Sequence, residues 1–298
     1  MHKIHIPVLL RESIDSLAIK PNGFYIDCTL GDGGHSIEIL RKLSPEGVLL
    51  SIDRDQNAID FVKSFYNEES KQDNWKIVKA NFKELDYYAK EIRNSADGVL
   101  MDLGLSSRQL EESHNRGFSY LEEKEPLDMR MDMELGVTAK DLINVLPEKE
   151  LYQIFKIYGE EKYSYQIAKA IKRNISDINT VGDLTRLIYK VMPAVNLHKN
   201  PSRRVFQALR IVVNDELNSL KEGLDNSFKI LNNGGRLSVI SFHSLEDRIV
   251  KQFFLEKSRS GEGELLFKNH IAPTDEEEKQ NPRSASAKLR TLTKHDNQ

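Results

Sequence analysis

The segment Asp27-Cys28-Thr29-Leu30-Gly31-Asp32-Gly33-Gly34-His35-Ser36 sets three glycines between an apolar run and a helical pattern. A glycine-rich turn entering a helix lets backbone come close to a ligand, with the helix N-terminus behind it. The acids narrow the choice of ligand. A dinucleotide brings a pyrophosphate, which Asp27 and Asp32 would repel, and Ser36 stands where the dinucleotide pattern has its third glycine. A cation reverses the sign. S-adenosylmethionine, with its sulfonium and ammonium, suits carboxylates around the turn. By itself the segment also fits a purely structural tight turn.

Further chemistry-bearing residues follow at the ends of later apolar runs. Asp53 closes Val48–Asp53, where an acid accepts both hydroxyls of an adenosine ribose, while Asp55 is better placed to cap the next helix. Phe82 follows a third run and fits either an adenine face or the core. Asp102 follows Leu100-Met101 and stands at the sheet edge where open α/β sheets bind ligands. Its options are loop capping, a hydrogen bond to cofactor, or a hydrogen bond to a substrate amine.

The elements that must position these residues alternate. Phe24–Thr29, Val48–Asp53, Trp75–Ala80 and Gly98–Leu103 read as buried strands. His35–Leu43, Asn57–Tyr66 and Asn81–Ile92 read as the helices between them, which predicts a parallel sheet covered on both faces. From Leu110 to about Pro201 only helical periodicity is found: Ala139–Leu146, Glu148–Phe155, Tyr163–Ile171 and Val181–Val191. One long helix is then predicted from Ser202, its apolar positions running from Phe206 to Leu231, with Asn232-Asn233-Gly234-Gly235 as its stop. Arg236–Ser241 follows as a strand and Leu245–Lys257 as a helix. The expected architecture is an α/β domain of residues 1–109 and 202–298, interrupted by a helical insertion of residues 110–201, about ninety residues and far beyond a loop.

Composition excludes several classes. Hydrophobic residues make up 39% and charged residues 30%, which is globular usage. Cys28 is the single cysteine, so no intrachain disulfide or CxxC metal site is possible, and no metal is expected. No apolar run approaches the roughly 20 residues of a membrane span, and the start lacks a signal-peptide core. A cytoplasmic protein is expected. Net charge is −3, so a nucleic-acid partner must be held by local patches. Arg186, Lys190, Lys199, Arg203, Arg204 and Arg210 lie between Asp183 and Asp215 with no acid among them. Arg283, Lys288, Arg290 and Lys294 form a second stretch, and Asp275–Glu278 reads as an acidic surface loop.

Several blocks along nearly the whole chain resemble the RsmH (MraW) family of bacterial 16S rRNA (cytosine-N4)-methyltransferases. They are His5–Leu9, the Asp27–Ser36 turn, Asp97–Leu110 (DGVLMDLGLSSRQL), Arg116–Tyr120 (RGFSY) and Pro126–Asp132 (PLDMRMD). Phe206–Ile211 (FQALRI), Ser241–Arg248 (SFHSLEDR) and Asn281–Arg290 (NPRSASAKLR) complete the set. The resemblance implies a class I (Rossmann-like) S-adenosylmethionine-dependent methyltransferase sheet with an all-helical domain inserted after the fourth strand. It implies methyl transfer to N4 of a cytidine near the decoding centre, with small-subunit rRNA or the small ribosomal subunit as partner. By position, the family's cofactor contacts fall on Gly33, Gly34, His35, Asp53, Phe82, Asp102 and Gln109.

A departure from many amino-methylating DNA enzymes also matters. Leu103 and Gly104 stand where those enzymes have two prolines, so the aromatic that clamps the base must come from elsewhere, with Phe118, Tyr120 and Phe242 as candidates. Asp102 and His243 are the candidate acceptors for the amine proton. Arg203, Arg204, Arg210, Arg283, Lys288 and Arg290 are the candidate RNA contacts, and the helical insertion is the expected substrate-recognition domain, its other reading being dimerisation. A non-catalytic ribosome-assembly factor and an NAD-dependent oxidoreductase are the alternatives, and a homodimer is compatible with the sequence.

Overall fold

The computed structural model describes residues 7–111, 115–192 and 200–295. His5 and Ile6 of the first motif block, and Lys199 of the basic stretch, lie outside them. The chain forms two units, Met1–Ser106 with Leu217–Gln298, and Ser107–Glu216.

The first unit holds a seven-stranded sheet of β1 (Phe24–Asp27), β2 (Val48–Asp53), β3 (Trp75–Lys79), β4 (Ala96–Asp102), β5 (Leu231–Ser241), β6 (Gly263–Leu265) and β7 (Lys288–Lys294). Its order is β3-β2-β1-β4-β5-β7-β6. β1 to β5 pair in parallel, while β7 runs antiparallel between β5 and β6. This is the mixed α/β, Rossmann-like sheet expected. The order reverses between β1 and β4, and a ligand of such a sheet binds beyond the strand carboxyl ends at that point.

Parallel strands are apolar on both faces because helices cover both. Phe24, Ile26 and Cys28 point to one core with Leu50, Ile52, Val99 and Met101, beneath Leu85 of α4 (Leu85–Ile92), Leu220 and Leu224 of α11 (Glu216–Ile230) and Phe254 of α12 (Ser244–Arg259). Tyr25, Leu49 and Leu100 point to the other, under Ile14 of α1 (Leu10–Leu17), Ile37 of α2 (Gly34–Lys42) and Val62 of α3 (Gln56–Phe65). Each such side chain contributes about 1.5–3 kcal/mol on burial.

The second unit contains α5 (Ser107–Glu111), α6 (Ala139–Val145), α7 (Glu148–Ile157), α8 (Ser164–Arg173), α9 (Val181–Val191) and α10 (Ser202–Asn214). Thr138 and Thr180 start α6 and α9 with reciprocal capping boxes to Asp141 and Asp183. The RGFSY and PLDMRMD blocks form an ordered loop here. Arg116 is buried under Met131 O with its guanidinium over the Phe118 ring, and Arg130 pairs with Asp128 at 2.7 Å.

Four expectations change. The predicted helix from Ser202 to Leu231 is two helices, α10 and α11, parted at Asp215 with φ 48°. Asn214 explains the break: its buried amide donates to Met129 O and Arg210 O and accepts from Met131 N. Apolar spacing runs through this point, so periodicity alone cannot show it. Asn232-Asn233-Gly234-Gly235 is no helix stop either, because β5 already begins at Leu231. The boundaries move accordingly: Ser202–Glu216 belongs to the helical unit, where α10 packs on α6, α7 and α9. The acidic run Asp275–Glu278 is not a loop but the start of α13 (Asp275–Gln280), capped by Thr274.

Candidate functional site

The site grows from the carboxyl edge of β1, β2 and β4, all in the sheet unit. At the end of β1, Asp27 is fully buried and accepts from Ser36 Oγ at 2.6 Å and from Thr29 N at 3.1 Å. Burial pushes its carboxyl upward against those hydrogen bonds. Asp27 is therefore a strut rather than a ligand-facing acid, which corrects half of the expectation for the turn. Ser36 continues through Ser51 Oγ (2.7 Å) to Trp75 Nε1, which also donates to Ser51 (2.8 Å). The third-glycine position is a serine because its hydroxyl joins β1 to β2 and β3.

Gly33 has φ 82° and caps α2, a conformation glycine takes without steric cost. Gly34 is required by proximity instead: a Cβ there would lie 2.1 Å from Pro7 Cγ. Beyond Pro7 the chain folds over the turn. Leu9 is buried with φ 50°, and its N–H donates to Glu277 Oε1 of α13 at 2.7 Å. Val8, Leu9, Ile240, Ala287 and Leu289 pack together beneath this crossing. We expect Gly34→Ala to lower stability by about 1–3 kcal/mol through overpacking against Pro7. Thermal denaturation checks this, and an unchanged Tm would show that the strap yields.

His35 is buried beside that strap. Its Nε2 lies 3.2 Å from Val8 O, which can only accept, so Nε2 carries the proton. Its Nδ1 faces Asp102 Oδ2 at 3.7 Å. Asp102 closes β4, its N–H donating to Thr29 Oγ1 at 2.7 Å. Its carboxyl is one quarter exposed, yet Oδ1 is buried without a hydrogen-bond partner. Burial, then the charges of Asp27 and Glu246, hold it well above the ordinary carboxylate range. An unpaired buried acceptor is costly, so this oxygen marks where a donor is wanted.

Asp53 accepts from Gly31 N (2.8 Å) through Oδ2 and from Asp55 N (2.9 Å) through Oδ1. Each oxygen keeps a lone pair for a further donor. Burial raises it to about 6 despite those two bonds. Asp55 caps α3 through Asn57 N at 3.1 Å, so the cap falls on Asp55 as expected and Asp53 is not spent on it. Phe82, on a 3-10 turn after β3, is partly buried, and a Cβ on Gly223 would lie 2.6 Å from its Cδ2.

His243 is the N-cap of α12. Its Nδ1 accepts from Glu246 N at 3.3 Å, while Glu246 Oε2 accepts from Phe242 N and His243 N. Nε2 lies 3.1 Å from Glu246 Oε1 without hydrogen-bond alignment. The spacing of a capping box was present in the sequence, but histidine is an unusual cap and concealed it. Phe242 is partly buried and packs against the cluster of Val8, Leu9, Ile240, Ala287 and Leu289. Thr29, Ser36, Glu246 and the Val8 carbonyl are the site residues that sequence reasoning did not assign.

Gln109 lies on α5 of the helical unit and is buried. In the same unit Phe118 is buried under Arg116, and Tyr120 meets Phe206 edge-on at 6.1 Å. Of the basic candidates there, Arg203 is exposed and Arg204 donates to Glu160 O. Arg210 is a correction: it clamps Glu216 through two 2.8 Å bonds and does not offer an open guanidinium. In the sheet unit Arg283 is exposed, while Lys288 and Arg290 both hold Asp247.

The family model for the MraW methylase family matches residues 2–295. A protein named "Ribosomal RNA small subunit methyltransferase H" from Clostridium botulinum (strain Loch Maree / Type A3) is 46% identical over 309 residues, covering 97% of this chain and 98% of that relative. One of the same name from Caldicellulosiruptor saccharolyticus is 46% identical over 308 residues, covering 97% and 99%. A solved structure from Clostridium thermocellum is similar at TM-score 0.50 and 11% identity, covering 99% of this chain and all of that one; at that identity it speaks to the fold alone.

Proposed function

The chain belongs to the MraW methylase family, and from that premise we propose that it methylates N4 of a cytidine in small-subunit (16S) rRNA near the decoding centre. It is a methyltransferase, and S-adenosylmethionine is its methyl donor. Membership removes the nicotinamide-dependent alternative. The observation that carries the reading is the buried, unpartnered Asp102 Oδ1 at the sheet's topological switch point.

The residues present fit the cofactor. Asp53 retains acceptor capacity on both oxygens for a ribose, Gly33 turns the backbone into the start of α2, Gly34 joins by its place in the family pattern, and Asp102 is an acid short of a donor. Phe82 offers the aromatic surface for adenine, and Gln109 joins this set by its place in the family pattern. When bound, S-adenosylmethionine supplies an electrophilic methyl group on a sulfonium.

Cytosine N4 is a weak nucleophile because its lone pair is delocalised into the ring. Holding it in line with the methyl supplies several kcal/mol of the barrier reduction. Asp102 accepts a hydrogen bond from the amine and concentrates charge on nitrogen as the new bond forms. Its raised proton affinity suits that role. His243 is committed to capping α12, so its part is to hold Glu246 and the Phe242 backbone in place.

The target base must be unpaired and turned out of its stack. The helical unit recognises the surrounding RNA, with Arg203 and Arg204 on phosphates. We expect Arg203→Ala with Arg204→Ala to weaken RNA binding in a salt-dependent manner, with cofactor affinity unchanged. A salt-independent loss would contradict phosphate contact. Among the described residues no helix is long and apolar enough to cross a membrane, and the cytoplasm, where small subunits reside, is the proposed location.

The functional test is incubation with labelled S-adenosylmethionine and small subunits from cells lacking the gene, followed by digestion and mass spectrometry of nucleosides. Labelled N4-methylcytidine is expected. Label in any other nucleoside would overturn the assignment.

A further inference from the structure

Away from the cofactor edge, β7 carries Lys288 and Arg290 two residues apart and therefore on one face of the sheet. Both reach one carboxylate of α12: Lys288 Nζ is 3.0 Å from Asp247 Oδ2, and Arg290 Nε is 2.8 Å from Oδ1. Lys251 stands one helical turn beyond Asp247 on that same helix, exposed. A fourth basic group comes from the segment after β6. Ile271 and Leu289 exchange both backbone hydrogen bonds at 2.9 Å, which sets His270 across from Arg290.

The groups facing one another here are thus Lys288 and Arg290 from β7, Asp247 and Lys251 from α12, and His270 from the paired segment. One acid cannot neutralise them. Asp247 uses an oxygen each for Lys288 and Arg290, and neither Nη of Arg290 donates to a protein acceptor among the described residues. His270 registers the imbalance: burial first, then Arg290 and Lys288, push its imidazole below the ordinary histidine range. Arg290 is only 14% exposed and held in place by Asp247, so its outer nitrogens are oriented before any ligand arrives. An oriented guanidinium flanked by ammonium groups is the donor set for a phosphate.

We infer that Lys251, His270, Lys288 and Arg290 form a phosphate-binding site on the sheet unit that takes a phosphodiester of the RNA substrate. This rests on the proposed function, because RNA is the phosphate carrier that reading supplies. A bound dianionic or monoanionic phosphate raises the proton affinity of the imidazole beside it, so binding takes up a proton at His270. Affinity then rises as pH falls.

The test uses the full chain and a fluorescent fragment of small-subunit rRNA, measured at about pH 6 and about pH 8 and across a salt series. Binding by the unaltered protein should be about threefold or more tighter at the lower pH. His270→Gln should flatten that difference, and Lys251→Ala should reduce the salt slope by about one. Lys251 is exposed and His270 partly buried, and unchanged affinity for S-adenosylmethionine confirms the fold of both variants. RNA binding with pH and salt profiles identical in all three proteins would overturn the site while leaving the functional reading intact. Failure of the unaltered chain to bind RNA would overturn both. In a second arm, inorganic phosphate alone is titrated while the His270 imidazole is followed by NMR. A shift with phosphate but none with RNA would overturn the RNA assignment.

Discussion

Asp102→Ala should lower kcat for methyl transfer by roughly 10²–10⁴-fold, the range ascribed to a positioned proton acceptor. Stability should move the other way. Burial holds this carboxyl above its ordinary range, so what it contributes to folding is present in full at low pH and lost as pH rises through its folded value. At neutral pH it is a cost, and its Oδ1 has no hydrogen bond to lose. The variant is therefore expected to keep or raise Tm while losing activity, the pairing seen where a site is kept strained for function. Asp102→Asn separates charge from shape: it keeps the outline but donates where a carboxylate accepts. Full activity in either variant would remove Asp102 from the chemistry. A fall in Tm together with activity would instead reveal a structural residue.

The second large effect is expected at Asp53. Asp53→Ala should weaken S-adenosylmethionine binding at least about tenfold, from loss of charge-assisted hydrogen bonds. The same residue gives the affinity a pH profile. Burial places the ligand-free carboxyl at about 6, and ribose hydroxyls donate best to its ionised form. Binding therefore lowers that value, and affinity rises as pH climbs through about 6 and levels off above it. Asp53→Asn should erase this step. Calorimetric titration across that range measures it, and a step that survives the asparagine would move the titration to another group. This slope is opposite in sign to the one expected for RNA at His270, so the two ligands can be told apart by pH alone.

Much of the sheet's carboxyl edge was legible because parallel strands announce themselves as short apolar runs, and open α/β sheets bind ligands beyond their last residues. Asp53 and Asp102 needed no more than that, and Val48–Asp53 is the second strand to the residue. What stayed hidden depends on partners distant in sequence. Asp27 looked like a ligand-facing acid because nothing local says that Ser36 and Thr29 will enclose it. Arg210 looked like a phosphate contact because Glu216 lies just past the acid-free stretch that drew attention to it. The Lys288–Lys294 segment was read for charge, although its Leu289 and Leu292 stand on opposite faces of a strand and enter two different cores. The break at Asp215 was invisible for another reason: a side-chain amide makes it, and no hydrophobic period changes there.

The crossing of Pro7–Leu9 over the glycine turn has a consequence in time. Glu277, which receives the Leu9 amide, is 268 residues further along the chain. At about 5–20 residues per second, a ribosome needs some tens of seconds to cover that distance. Once β4 ends at Asp102, β1 to β4 can pair for the rest of that interval, yet the Leu9 amide beside the carbonyl that orients His35 still lacks Glu277. The fastening over the glycine turn is thus among the last contacts the nascent chain can make. A product terminated just before Glu277 holds the sequence of β1 to β6 but lacks β7 and the fastening over its own glycine turn.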